Sequence, residues 1–330
     1  MLRVALLVLA LFIAAPRLAQ AEPVTLRIAT LAPASSTWGK LFTAWQRGVV
    51  ERSHGALNVQ VFYGTQQGDE LAMVSKMRTH QLDGAALTAT GLAQIYKDVL
   101  VFELPGLFRD WVHLDRARTA MRSTLDAAFD ARGFRIVSWG DVGITHLMTR
   151  GVEARVPADL RRARCFYLPG DPVGPAFFQA AAGGIVAKAL SVPEILPALQ
   201  SGSVNLLSAP SLVAEQLQWT SVLDHIDVRP TNVAIGAFLI SSAKVRSLPA
   251  DLAAIVLDTG PSPDRGGDRI RREDAASFAR LKAKMKAYET SDAEEAQWQA
   301  VFDDMRRRVR GAVFDPVIYD RMVSLAAAAP

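Results

Sequence analysis

The stretch "RCFYLPGDPVGPAFFQAAAGGIVAKALSVPEILPALQSGSVNLLSAP", residues 164–210, decides the fold. It reads as a strand from Arg164 to Leu168, a Gly-Asp-Pro turn at Gly170 to Pro172, and a helix from Pro175 to Ala182. A strand from Ile185 to Leu190, a helix from Pro193 to Gln200 and a strand from Val204 to Leu207 follow. Short apolar runs alternating with helical segments, separated by Gly and Pro turns, mark a βαβ arrangement with a mostly parallel sheet.

An earlier stretch has the same grammar. "ELAMVSKMRTHQLDGAAL", from Glu70, parallels "EILPALQSGSVNLL", from Glu194: an acid opens each helix, a polar residue precedes a bend, and a small-residue strand follows. Two similar α/β halves are implied. Open parallel sheets bind ligands beyond the carboxyl ends of their strands, so the halves are expected to face a cleft.

The N-terminus reads as an export signal. Arg3 supplies the positive region, Val4 to Ala15 the apolar region, and Ala19-Gln20-Ala21 a small-x-small cleavage site, so the mature chain is expected to begin at Glu22 in the periplasm. The apolar run is far short of the roughly 20 residues that cross a bilayer. Without Arg3 and Arg17 the chain keeps 35 basic residues against 33 acidic ones, too balanced to argue for nucleic acid or an anionic membrane. The run Arg306-Arg307-Arg308 suits a helix C-terminus, where cations complement the dipole. With a single cysteine there is no intramolecular disulfide, and Cys165, alternating with Arg164 and Phe166, reads as a small buried hydrophobe.

Working outward, Thr25 to Thr30 is a strand, and the Ser35-Ser36-Thr37 cluster caps a helix from Trp38 to about Ser53. A strand over Leu57 to Phe62, a helix to about His80 and a strand over Ala85 to Thr88 follow. A helix near His113 to Arg132 leads to strands Phe134 to Trp139 and Thr145 to Thr149, which flank "GDVG" where a crossover between halves fits. A helix over Leu248 to Thr259 meets Gly260-Pro261-Ser262-Pro263. Proline costs about 3 kcal/mol inside a helix, so the helix breaks there, restarts around Asp264 and continues to about Tyr288.

The succession "LRIATLAPASSTWGKL", "VQVFYGTQQGDELAMVSKMRTHQLDGAALTATGLAQI", "VLVFELPGLFRD", "GFRIVSWGDVG", "PGDPVGPAFF" and "LPALQSGSVNLLSAPSLVAEQLQW" resembles the solute-binding proteins of tripartite ATP-independent periplasmic (TRAP) transporters, of the dicarboxylate-receptor type. It covers nearly the whole mature chain, and "KMRTHQLDGAALT" is its most specific block. The resemblance implies a periplasmic receptor that captures a small organic acid and delivers it to TRAP membrane permease subunits. It also implies a two-domain periplasmic binding protein fold with hinge strands and a domain-spanning helix, here interrupted near Gly260. Residues 22–144 with 232–265 are expected to form one α/β domain, and 145–231 with 266–330 the other.

Two departures bear on the ligand. The resemblance implies an arginine, whose planar fork clamps a carboxylate, in the strand after "ADLRRA". Phe166 stands there, or Tyr167 in a register shifted by one. Asn205 to Pro210 replaces a polar, acidic segment with aliphatic and small residues. Trp38, Phe62, Trp139 and Phe166 are therefore expected to wall a pocket for a more apolar solute. Gln67, Thr88 and Ser208 are polar contact candidates, and Arg164, on one face with Phe166 by strand period two, is a substitute carboxylate partner.

Enzyme chemistry is not expected. The histidines His54, His80, His113, His146 and His225 form no HExxH and no pair at metal spacing, and no Gly-x-Ser-x-Gly elbow or nucleotide-binding glycine loop occurs. Asp69 and Glu70 read as helix capping residues, and His146 as a satisfied strand residue. No metal or cofactor is called for. A carrier of neutral or lipid-like ligands, or a receptor serving an ATP-driven importer or a sensor kinase, is the competing reading.

Overall fold

The computed structural model describes residues 22–181, 185, 187–260 and 263–327. The expected export signal, Ala182 at the end of an expected helix, Gly183, Gly184, Val186 of an expected strand, and Pro261-Ser262 lie outside them. In chain order the elements are β1 (Val24–Thr30), α1 (Thr37–Arg52), β2 (Leu57–Tyr63), α2 (Glu70–Arg78), β3 (Gly84–Thr88), α3 (Ala89–Ala93), α4 (Trp111–Asp130) and β4 (Phe134–Thr149). Then come β5 (Cys165–Tyr167), α5 (Val173–Ala181), β6 (Ala187–Ala189), α6 (Val192–Ser201), β7 (Leu206–Pro210), α7 (Ser211–Gln216) and β8 (His225–Ser241). The chain ends with α8 (Ser242–Ser247), α9 (Ala250–Asp258), α10 (Pro263–Lys284), β9 (Lys286–Tyr288), α11 (Asp292–Val309) and α12 (Pro316–Ala327).

The first lobe is built on β2-β1-β3, with β1 parallel to both neighbours. Its helices start where side chains can take up orphan N–H groups: Ser36 caps α1, Asp69 caps α2 and Asp110 caps α4. The second lobe contains the decisive stretch. There β5 and β6 pair in parallel, and Ser191 with Glu194 forms a capping box that opens α6 with proline in its first turn. Beside this pair β7 runs antiparallel to β4.

Two long strands join the lobes. β4 and β8 run antiparallel along their whole length, and β8 also pairs with β3 in the first lobe and with β9 in the second. The expected pair of strands around "GDVG" is thus a single strand of 16 residues. Glycines normally interrupt a strand. Here the register shifts between Ile136 and Ser138, Asp141 and Gly143, Thr145 and His146, and His146 and Met148, so the irregularity is absorbed as bulges.

The helix break is where the glycine and prolines put it, since α9 ends at Asp258 and α10 begins at Pro263. α10 packs on β4, α7, β8 and β9, and so spans both lobes. Its end differs from expectation: the helix stops at Lys284, and Lys286–Tyr288 pairs with β8 instead, Lys286 N–H donating to the Asp224 carbonyl. The C-terminal α12 lies against α4, and Phe314, Tyr319 and Met322 share a core with the first lobe, whereas the sequence reading grouped residues 266–330 with the second.

Candidate ligand site

Between the lobes lies a cavity of about 410 Å³. The carboxyl ends of the lobe strands open onto it, as the βαβ topology requires. Thr30 to Pro33 follow β1, Ala86 to Thr88 close β3, Phe166 to Leu168 come from β5, and Leu206 to Pro210 from β7. The hinge strands supply Val142, Thr145, Arg229 and Asn232, and α11 supplies Trp298 and Phe302.

Of the residues singled out in the sequence, four line this cavity: Trp38, Thr88, Phe166 and Ser208. Trp38 stands at the entry of α1 with its ring over Gly140, where a Cβ would lie 2.4 Å from the indole. Only glycine lets the hinge strand approach the ring so closely. Phe166 packs against the second-lobe core and presents the rest of its surface to the cavity. Thr88 is present, but its hydroxyl and N–H both donate to Glu70, at 2.7 and 2.6 Å.

The other four lie elsewhere. Trp139 is a core residue, 3% exposed, packed edge-on against Phe129 with its indole N–H on Asp126 at 3.0 Å. Alternation along β4 turns it toward the first-lobe core. Phe62 packs against that same core. Gln67 accepts from Lys76 Nζ at 2.9 Å, which ties the loop to α2. Arg164 falls one residue before β5 begins; its Nε donates to the Gly202 carbonyl at 2.6 Å, and its N–H to Asn205. The guanidinium therefore holds the α6 C-terminus and does not reach the cavity.

Three acids and one base take the polar positions. Asp69 caps α2 as expected, but Glu70 turns inward onto Thr88, and burial raises its carboxyl above the usual range despite those bonds. Glu103 accepts from Ile235 N–H at 2.7 Å, and burial pushes it up to about 8, helped by the charges of Asp171 and Glu70. Asp171, in the Gly-Asp-Pro turn, caps α5 through Val173 and Gly174, and burial raises it too. Arg229 is the one Lys or Arg side chain among the described lining residues. Its terminal nitrogens donate to Asp227 and Glu295 at 3.1 and 2.7 Å, its plane lies over Trp298, and its buried Nε has no hydrogen-bond partner.

These four were missed in the sequence for identifiable reasons. Glu70 sits beside a capping aspartate and reads as its companion. Glu103 carried a usable signal, a lone acid in the apolar run "VLVFELPGLF". Asp171 looked like turn chemistry, which it also performs. Arg229 owes its place to a hinge strand whose bulges no periodicity reveals.

The family model for bacterial extracellular solute-binding protein, family 7, matches residues 28–310. The chain belongs to that family. A solute-binding protein of Verminephrobacter eiseniae is 26% identical over 272 residues, 80% of this chain and 78% of the relative. Solved structures share the fold. A TRAP periplasmic solute-binding protein from a Sulfitobacter species, solved with β-D-galacturonate, has a TM-score of 0.81 at 16% identity, covering 92% of this chain and 100% of that one. One from Sulfurospirillum deleyianum, solved with succinate, has a TM-score of 0.80 at 18% identity, covering 93% and 99%. The two-domain fold of these TRAP receptors is the fold described above.

His146 and Cys165 play no part in the cavity lining. His146 is buried, stacked on Phe278 at 4.0 Å with Nδ1 near the Asp227 carbonyl, and burial pushes it down to about 4. A neutral imidazole is thereby fixed in the second lobe. Cys165 is a buried free thiol pushed up to about 12 by burial.

Proposed function

We propose that this chain is the extracytoplasmic receptor of a TRAP-type transport system, which captures a small organic solute between its lobes and presents it to membrane permease subunits. The carrying observation is the cavity of about 410 Å³, lined from both lobes, with apolar walls and a few convergent polar groups. That is the form of a small-molecule site. The solute's body packs on Trp38 and Phe166, and Ser208 offers a hydroxyl. Export places the receptor in the periplasm, with cleavage after Ala21, and the lobes divide as expected from the sequence except for the C-terminal α12, which goes with the first lobe. Closure then follows from contacts made only when both walls hold the ligand.

A second reading keeps the acids bound by similar receptors, galacturonate and succinate among them. The unpartnered Nε of Arg229 favours it, since a ligand carboxylate would complete that group's hydrogen bonding. One test covers both. Protein spanning Glu22 to Pro330, refolded to strip carried ligand, is screened by thermal shift against carboxylates, neutral solutes and apolar compounds. A ligand at about 100 times its Kd should add roughly 2.7 kcal/mol, several degrees in midpoint. Absence of stabilisation across the whole panel, with nothing retained in native mass spectra of unrefolded protein, would sink the receptor reading. Genes for paired small and large membrane subunits beside this one are expected, and an adjoining transport ATPase gene would oppose the TRAP assignment.

A further inference from the structure

The polar groups in the cavity have the wrong sign for an acid. Glu70 and Glu103 enter from the first lobe and Asp171 from the second. The base opposing them, Arg229, is already held by Asp227 and Glu295. Phe166, an apolar side chain, lines the cavity from β5. A buried organic anion would lose its hydration there and meet no free cation among the described lining residues in return.

The three acids also differ in how far they are satisfied. Glu70 is saturated by Thr88, and Asp171 caps α5 with both oxygens. The one hydrogen bond Glu103 makes among the described residues is from Ile235 N–H to Oε1, which leaves Oε2 for a ligand. At the cavity wall formed by α11, the Arg229 side chain is 9% exposed and keeps one N–H without an acceptor. Donor and acceptor needs are thus left open at separate places in one apolar space. A metal ion does not answer them, because among the described residues no group of three or more His, Cys, Asp or Glu side chains is placed to hold one.

We propose that the cavity takes an organic cation, a small solute with an apolar body whose protonated amine sits between Glu103 and Asp171, and whose oxygen acceptor faces Nε of Arg229. The inference rests on the receptor reading above and names its ligand class. It also supplies a reason for closure. In the empty cleft burial keeps Glu103 protonated up to about pH 8. An ammonium group has three donors and a positive charge that favours the ionised carboxylate, so its arrival makes a bridge between the two acids that exists only when the lobes come together.

The test uses matched probes on the refolded mature protein: phenethylamine, phenethyl alcohol and hydrocinnamate, then aminobutanol, butanediol and hydroxybutyrate. Amines should raise the unfolding midpoint, and the corresponding acids should not. By calorimetry, Glu103→Gln and Asp171→Asn should each weaken amine binding about 10-fold or more, the scale of one charge-assisted hydrogen bond, and leave alcohol binding within about twofold. Glutamine still accepts from Ile235, and asparagine keeps the capping bond from Val173 N–H while giving up the one from Gly174. Stabilisation by the acids alone would overturn the cation and leave the receptor standing. Equal weakening of amine and alcohol would also overturn it, by making the two residues structural. No binding in any arm counts against this proposal, and together with an empty native mass spectrum it counts against the receptor reading as well.

Discussion

Replacing Glu103 with glutamine should change how the ligand-free protein's stability depends on pH. The carboxyl is raised from an ordinary value of 4.5 to about 8 by burial. Between those values the folded state holds a proton that the unfolded chain has released, so unfolding loses protons and stability falls as pH rises. The contribution is full below about pH 4.5 and gone above about pH 8. Each pH unit in that window corresponds to about 1.4 kcal/mol. From about pH 5 to about pH 7.5 the native protein should therefore lose up to roughly 3 kcal/mol that the glutamine variant keeps. Asp171 and Glu70 are also raised by burial, but in both proteins, so they cancel in the difference.

The assay is urea unfolding of both proteins, stripped of ligand, at the two pH values. A neutral amide in place of the carboxyl preserves the bond from Ile235 N–H, so the variant should unfold at nearly the same urea concentration as the native protein at the lower pH. At the higher pH it should be the more stable of the two. Parallel pH dependence would refute the reasoning, since it would mean that water or a counter-charge satisfies Glu103 in the empty cleft.

Other perturbations separate ligand contacts from scaffold. Phe166→Arg should create binding of succinate or galacturonate, gaining about 10-fold or more over the native protein in calorimetry; an unchanged carboxylate panel would place Phe166 outside the ligand's reach. Trp139→Phe should cost about 1–2 kcal/mol of stability, through lost packing and the lost bond to Asp126, with ligand affinity unchanged; a large affinity loss without a stability loss would restore it as a pocket wall. Gly140→Ala should weaken binding of any ligand, because the new methyl would meet the Trp38 ring at 2.4 Å and displace it; full affinity would show that Trp38 is not a contact. Asp274→Ala should destabilise by about 2–4 kcal/mol in chemical unfolding, since it strands the buried N–H groups of Ile144 and Leu212; a loss under about 0.5 kcal/mol would mean water replaces the carboxylate.

The architecture was readable because it depends on features that repeat along the chain. Apolar runs, caps at Ser36 and Asp69, and the break after Asp258 are local, and local physics determines them. The long hinge strand was less readable, because "GDVG" carries turn chemistry and only pairing with β8 holds it extended. Half of the eight residues named for the site line the cavity. Trp38 and Phe166 are bulky residues at strand or helix ends, where topology alone directs them to the cleft. Trp139, immediately before the "GDVG" stretch where a crossover was expected, lies in the core because the strand is continuous and its alternation turns it there. Glu70, Glu103 and Asp171 escaped because each also does an ordinary local job, and what distinguishes them is burial, which a linear pattern does not display.

Closure and ligand choice rest on different parts of this molecule. Asp274 on α10 accepts from Ile144 N–H of β4 and Leu212 N–H of α7, at 2.8 and 2.9 Å, so one carboxylate holds a hinge strand and a second-lobe helix together. One turn earlier, Arg271 bridges Asp141 of β4 and Asp115 of α4, and Arg118 joins the same group. Gly143 passes Asp274 with φ 152°, and a Cβ there would lie 2.5 Å from Pro210, so the bulge depends on glycine. Rotation of one lobe about β4 and β8 must therefore carry α10 with it. Thr37 bonds Glu273 of that helix, so the motion reaches the residue next to Trp38. A ligand that seats the Trp38 ring thus acts on the hinge through backbone-anchored contacts that make no use of its own charge. In the organic-cation proposal the sign of the charge is left to Phe166, Glu103 and Asp171, single side chains on otherwise settled elements, so that a change of ligand class would require no change of fold.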